Sequence, residues 1–263
     1  MSHRDEVRSD AAEVLFRDDQ IDGPALTDEI RRLRRAGRRA ALIDTGRYEA
    51  AELEWLAKEG LRLYMSDEAG RSVADILWIG ADIRRAGGAV SYFLSGTWDG
   101  GSAPNRPLFA DLLDIGRSGI DLHVSNREHE RDPGRLNELA WACREGGGWL
   151  VYYHAGPLGP WLEELARCGA WIHLIEDSLS DADDDLLVRD AQAAAGRLGF
   201  GIILHAPAAR DIARLKDLIR AGVTVLLETG PSDYRSPLRE LEAEAGKVRL
   251  GPRMYYLDAN VLP

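Results

Sequence analysis

Eight short apolar runs each end in a polar or acidic residue, and each is followed by a stretch with helical character. They are Ala41–Asp44, Leu61–Asp67, Val90–Ser95, Ile120–Asn126, Leu150–His154, Trp171–Asp177, Ile202–His205 and Val223–Glu228. The repeat averages roughly 26 residues, about what one strand-plus-helix unit requires. Gly60, Gly87-Gly88, Gly119, Gly146–Gly148, Gly169, Gly199 and Gly222 stand just before the runs. Glycine there closes a helix in the left-handed conformation. A strand, a crossover helix and a second strand give parallel pairing, so the pattern predicts a parallel sheet with helices between its strands.

Eight such units are the composition of a single-domain (β/α)8 TIM barrel. The expected boundaries are an N-terminal extension over residues 1–38, a barrel over 39–246 and a C-terminal extension over 247–263. The 263-residue chain, 45% hydrophobic, can fill one large core. Glu13–Arg17 and Arg253–Asp258 also read as strands, which makes ten candidates for eight places. Either they pair with each other outside the barrel, or Glu13–Arg17 is itself the first strand. Thr27–Ala36, between Glu13–Arg17 and the repeat, reads as a strongly charged helix. An open dinucleotide-binding sheet needs a glycine fingerprint after an early strand, and Gly46-Arg47-Tyr48 does not supply it.

Charge and residue usage exclude several classes. A net charge of -11 disfavours a nucleic-acid binder. No apolar run approaches the roughly 20 residues of a membrane span, and Met1–Asp10 lacks a signal-peptide core, so a cytoplasmic protein is expected. Cys143 and Cys168 read as buried thiols in a reducing compartment. The basic residues comprise 30 arginines and three lysines. Lys58, Lys216 and Lys247 are not at strand ends, so neither a Schiff-base lysine nor pyridoxal phosphate (PLP) chemistry is expected. Two cysteines cannot hold an iron–sulfur cluster. Trp55, Trp78, Trp141 and Trp161 fall on helices and are expected to pack.

In a barrel the chemistry sits at the C-terminal strand ends. Side chains alternate along a strand, which directs Asp121, His123 and Ser125 inward, and Thr224, Leu226 and Glu228 likewise. Near Trp171–Asp177 the phase is open: either Glu176 points inward, or His173 and Asp177 do. His154 and His205 end their strands. His154, His205, Asp44 and His123 are therefore the catalytic candidates. His154, Glu176, His205 and Glu228 lie on four consecutive strands, and two imidazoles with two carboxylates suit a divalent zinc, manganese or iron ion. Trp98, in the long glycine-rich loop Gly96–Arg106, together with Arg47 and Arg235, are the substrate-binding candidates.

The strand ends Glu176, His205 and Glu228 resemble the late-strand metal ligands of xylose isomerase-like barrels. The likeness covers those three positions and departs at His154, where such barrels present a carboxylate. Asp44-Thr45 offers no His-x-His of the amidohydrolase kind. The expectation is a small-molecule enzyme of lyase, isomerase or hydrolase type, acting on a polar, anionic metabolite with a divalent metal. The alternatives are metal-free acid–base chemistry by His154 and His205, or a barrel that binds a ligand or partner without turnover. Outer helical faces could pair into a homodimer.

Overall fold

The computed structural model describes residues 13–99, 105–175, 202–207, 212–221, 223–229 and 254–258. They fall into two compact units, one within Ala12–Val151 and the other from Tyr152 onward.

The first unit alternates β1 (Glu13–Arg17), α1 (Gly23–Arg35), β2 (Arg39–Ile43), α2 (Ala50–Ala57), β3 (Arg62–Ser66), α3 (Val73–Arg85), β4 (Ala89–Leu94), α4 (Phe109–Arg117), β5 (Asp121–Ser125) and α5 (Pro133–Gly146). β1 to β5 pair in parallel, each with the next. Register aligns Arg17, Ile43, Tyr64, Ser91 and Asp121, so these residues share one face of the sheet. The opposite face carries Leu42, Leu63, Met65, Leu122 and Val124, all buried. Ile120, just before β5, meets Gly80 of α3, where a Cβ would lie 2.6 Å from its Cδ1.

The helices begin and end for identifiable reasons. Asp22 accepts the Ala25 N–H at 2.8 Å and Pro24 stands in the first turn of α1, whose last turn holds Arg32, Arg34 and Arg35. Leu26, Ile30 and Leu33, spaced by four and three, bury its inner stripe. Asp132 caps α5 by accepting the Arg135 N–H, and Pro133 follows it. Gly147 ends that helix at φ +79°, a conformation that strains other residues.

In the second unit the described elements are the end of β6 (Leu150–His154), α6 (Trp161–Cys168), β7 (Trp171–Ile175), β8 (Ile202–Pro207), α7 (Ile212–Ala221), β9 (Thr224–Thr229) and β10 (Met254–Asp258). β7 to β10 pair in parallel, again in chain order. Leu162, Leu165, Ile172, Leu174, Leu215, Leu218, Ile219 and Val223 are buried.

All eight expected apolar runs contain strands, displaced by at most two residues at their starts. The parallel α/β alternation is the expected one and is compatible with a barrel-like fold. The two additional candidates are also strands. Glu13–Arg17 pairs with β2 and Met254–Asp258 pairs with β9. Cys143 and Cys168 are buried on helices, as expected. The helical tryptophans divide otherwise than expected. Trp161 packs on Tyr152, but Trp55, Trp78 and Trp141 are 45%, 44% and 49% exposed, because they lie outside the buried stripes of their helices. No helix among the described residues is long and apolar enough to cross a membrane.

Candidate functional site

Three aspartates stand just beyond the C-terminal ends of β1, β2 and β3: Asp18, Asp44 and Asp67, all buried. Each follows the last strand residue and so falls in the phase of the apolar, helix-covered face. The Asp18 carboxylate accepts the Thr45 hydroxyl (2.6 Å), the Thr45 N–H and the Arg47 N–H, all from the loop after β2. Asp67 does the same two units on, accepting the Ser95 and Gly96 N–H groups from the loop after β4 at 2.9 and 2.8 Å. Asp67 does not cap α3. The cap of α3 is instead Ser72, which accepts the Asp75 N–H.

Asp44 is held differently. Arg71, from the loop after β3, donates to it through both Nε and Nη2, with Nη2 to Oδ1 at 2.7 Å. The Gly46 N–H adds a third bond, and Arg71 Nη2 also reaches the Tyr48 carbonyl. Burial alone would lower the Arg71 pKa, but the hydrogen bonds and charge of Asp44 outweigh it and hold the guanidinium above its usual value. Both oxygens of this catalytic candidate thus have partners within the fold.

Arg47 is exposed and donates to the carbonyls of Asp19 (2.8 Å) and Asp18 (3.4 Å), tying neighbouring loops together. Trp98 is 4% exposed. Its ring lies under the Arg131 guanidinium at 4.9 Å and against Phe109 at 5.7 Å. Arg131 donates to the carbonyls of Ser125 and Gly96, both at 2.8 Å, and so clamps the loops after β5 and β4 together. His123 sits on the other face of the sheet, as its phase predicts. It stacks on Phe93 at 4.2 Å, and Phe93 meets Tyr64 edge-on at 6.0 Å. These three half-buried rings cross three adjacent strands.

In the second unit, His154 is 4% exposed. Its Nε2 lies 3.1 Å from the Pro157 carbonyl, which can only accept, so this nitrogen carries the proton. Nδ1 faces the Tyr152 hydroxyl at 3.5 Å, and the ring meets Trp161 of α6 edge-on. Tyr152 touches the same indole, so His154 shares the helix-packed side of β6. Tyr153, one residue between them, contacts His173 at 4.8 Å on the alternate phase. Register carries the His173 phase onward: His173 pairs with Ile203, Ile175 with His205, His205 with Leu226, and Pro207 with Glu228. His205 and Glu228 therefore occupy the same phase of adjacent strands, two positions apart along the pleat. Glu176 and Arg235 lie outside the described residues. Among the described residues no group of three or more histidine, cysteine, aspartate or glutamate side chains is placed to hold a metal.

Asp18, Arg71, Arg131 and the Tyr153–His173 pair were not singled out from sequence. Asp18 had a signal: it ends an apolar run as Asp44 does, and Thr45 stands 27 residues after it, one repeat length on. The arginines had none, since so many of them follow strands. No protein-family model matches the chain, and neither does any curated protein sequence.

Proposed function

We propose that the chain closes as a (β/α)8 TIM barrel, with eight of its strands forming the ring, and works as an enzyme on a small, polar, anionic metabolite. The chemistry is of the lyase, isomerase or hydrolase kind, centred on proton transfer next to a carbonyl. One observation carries this reading: His205 and Glu228 share a phase on neighbouring parallel strands, at the C-terminal ends where barrels hold their reactive groups. An imidazole and a carboxylate so related can act as acid and base, or with Glu176 can bind a zinc, manganese or iron ion. His123 belongs to the inner-facing ring ladder in this reading. His154, with Nε2 bonded to Pro157, and Asp44, bonded to Arg71, serve as supports.

The test is elemental analysis of protein purified without chelator, together with metabolite screening by thermal shift with and without divalent ions. Stoichiometric metal that disappears in both His205→Ala and Glu228→Ala supports the metal version. Turnover without metal that is lost in both variants supports the acid–base version. Full activity in both variants would remove these residues from the chemistry.

A second reading, a barrel that binds without turnover, is favoured by the carboxylates of Asp18, Asp44 and Asp67, all of which are engaged within the fold. A metabolite that binds tightly and is recovered unchanged would decide for it.

A further inference from the structure

Apart from the exposed Arg127, the arginines that follow strands in the first unit fall into two groups. Arg47, Arg71 and Arg131 donate to carbonyls or to Asp44. Arg106 donates no hydrogen bond among the described residues; its Nε is buried without an acceptor in range. The nearest anion, Asp67 Oδ2, lies 3.7 Å from that Nε, too far for a hydrogen bond, and Asp67 already accepts the Ser95 and Gly96 N–H groups. The Arg106 side chain is 29% exposed and the Asp67 side chain 0%, so a buried charge lies beside the guanidinium while part of the side chain reaches solvent.

Its placement is built by three features. Asn105 adopts φ +67°, the only left-handed non-glycine residue among those described, and donates its side-chain amide to the Gly70 carbonyl at 2.9 Å. This fixes the residue before Arg106 to the loop after β3. Gly96, in the loop after β4, leaves the space that the guanidinium fills: a Cβ there would lie 2.6 Å from Arg106 Cζ and 2.9 Å from Asp67 Oδ2. The guanidinium thus rests on the backbone where the loops after β3 and β4 meet, at the C-terminal end of the sheet.

We propose that Arg106 is the oxyanion-recognition residue of this fold, binding a carboxylate or phosphoryl group through its Nη donors while Asp67 fixes its position. A planar fork with donors left over is suited to either group, and a local cation can select an anion on a protein of net charge -11. The inference rests on the proposed function only in naming the anionic end of its substrate.

Titration calorimetry with inorganic phosphate, and separately with malonate, at fixed ionic strength tests it. Wild type should saturate with at least one ion, and the better ion tells phosphoryl from carboxylate recognition. Arg106→Gln should weaken that ion about 10-fold or more, the scale of one charge-assisted hydrogen-bonded contact. The exposed Arg127, varied to Gln, should bind as wild type. Should Arg106→Gln fail to fold, Arg106→Lys, which keeps the charge beside Asp67 but loses the fork, should still weaken binding several-fold. Wild-type affinity in the folded Arg106 variant overturns the proposal, as does an equal loss in Arg127→Gln or an absence of saturable binding by both ions. The calorimetry reads ion binding without turnover or metal, so failure of the proposed chemistry reads out separately from failure of this subsite.

Discussion

Arg71 and Asp44, 27 residues apart, form a two-pronged ion pair whose side chains are 9% and 0% exposed. It joins the loop after β3 to the end of β2. Removing one partner strands the other charge in a buried site, which costs more than the pair contributes when whole. Arg71→Met should therefore lose about 3–5 kcal/mol in urea unfolding, and Asp44→Asn combined with Arg71→Met should recover much of it. A single-variant loss below about 1 kcal/mol would mean that the pair behaves as a surface contact.

Asp67 organises the next loop by accepting two backbone donors. Asp67→Ala should release both. Hydrogen exchange at the Ser95 and Gly96 amides should accelerate by at least about 10-fold, the factor that one lost hydrogen bond of about 1.4 kcal/mol implies. Protection unchanged from wild type would show that other partners hold this loop.

Strand order and helix order were legible because they follow from local chemistry. Alternating apolar runs, Asp22-Gly23-Pro24 before α1 and Gly147 after α5 each act within a few residues. The phase of His154 was not legible. Leu150–His154 is apolar or aromatic at every position before the histidine, so alternation cannot say which side faces the helices; Trp161, a tertiary partner, decides it. Asp44 ended a strand as a catalytic acid would, and nothing local distinguishes that from an anchor whose counter-ion arrives from the following repeat. Among 30 arginines the sequence could not single out Arg106. What does so is a space left by Gly96 and a left-handed Asn105.

Two buried acids make stability fall at alkaline pH. Burial pushes the Cys143 thiol far above 9.0 and the Tyr92 phenol far above 10.0, because the charged forms are poorly solvated there. Once pH exceeds the unfolded values, the unfolded chain has released protons that the folded chain still holds. The unfolded state then binds fewer protons, and stability declines as pH rises, first by about 1.4 kcal/mol per pH unit from the thiol and then by a similar slope from the phenol. Between pH 9 and 10, Cys143→Ala should flatten that decline, whatever its stability at neutral pH. An identical slope in the variant would assign the effect elsewhere. At pH 8 the native Cys143 should resist alkylation that proceeds once urea unfolds the chain.

Gly146, in the last turn of α5, approaches the carbonyls of Gly116 and Arg117 in α4 so closely that a Cβ would collide with backbone rather than with a movable side chain. Gly146→Ala should force the two helices apart and cost about 1–3 kcal/mol, despite the better helix propensity of alanine. Gly147→Asn, one residue on, meets nothing within 4 Å at φ +79° and should be far milder. Equal costs for the two would point to backbone entropy instead of helix contact.

His154 and His205 look alike in sequence, each closing an apolar run ahead of a proline, and the structure gives His154 a buried, hydrogen-bonded setting. His154 donates from Nε2 to the Pro157 carbonyl and packs on Trp161. Replacing it with alanine removes a buried ring and leaves that carbonyl without its donor, so unfolding free energy should drop by about 2–4 kcal/mol, combining lost burial and an unmade hydrogen bond. Folded His154→Ala protein should keep its ligand affinity and any metal. His205→Ala should behave in the reverse sense, with wild-type unfolding and lost metal or turnover. Urea titrations and elemental analysis of both proteins separate the two. Metal lost from His154→Ala while its fold stays intact would return His154 to the ligand set, and would mean that its Nε2 bond to Pro157 opens when the ion binds.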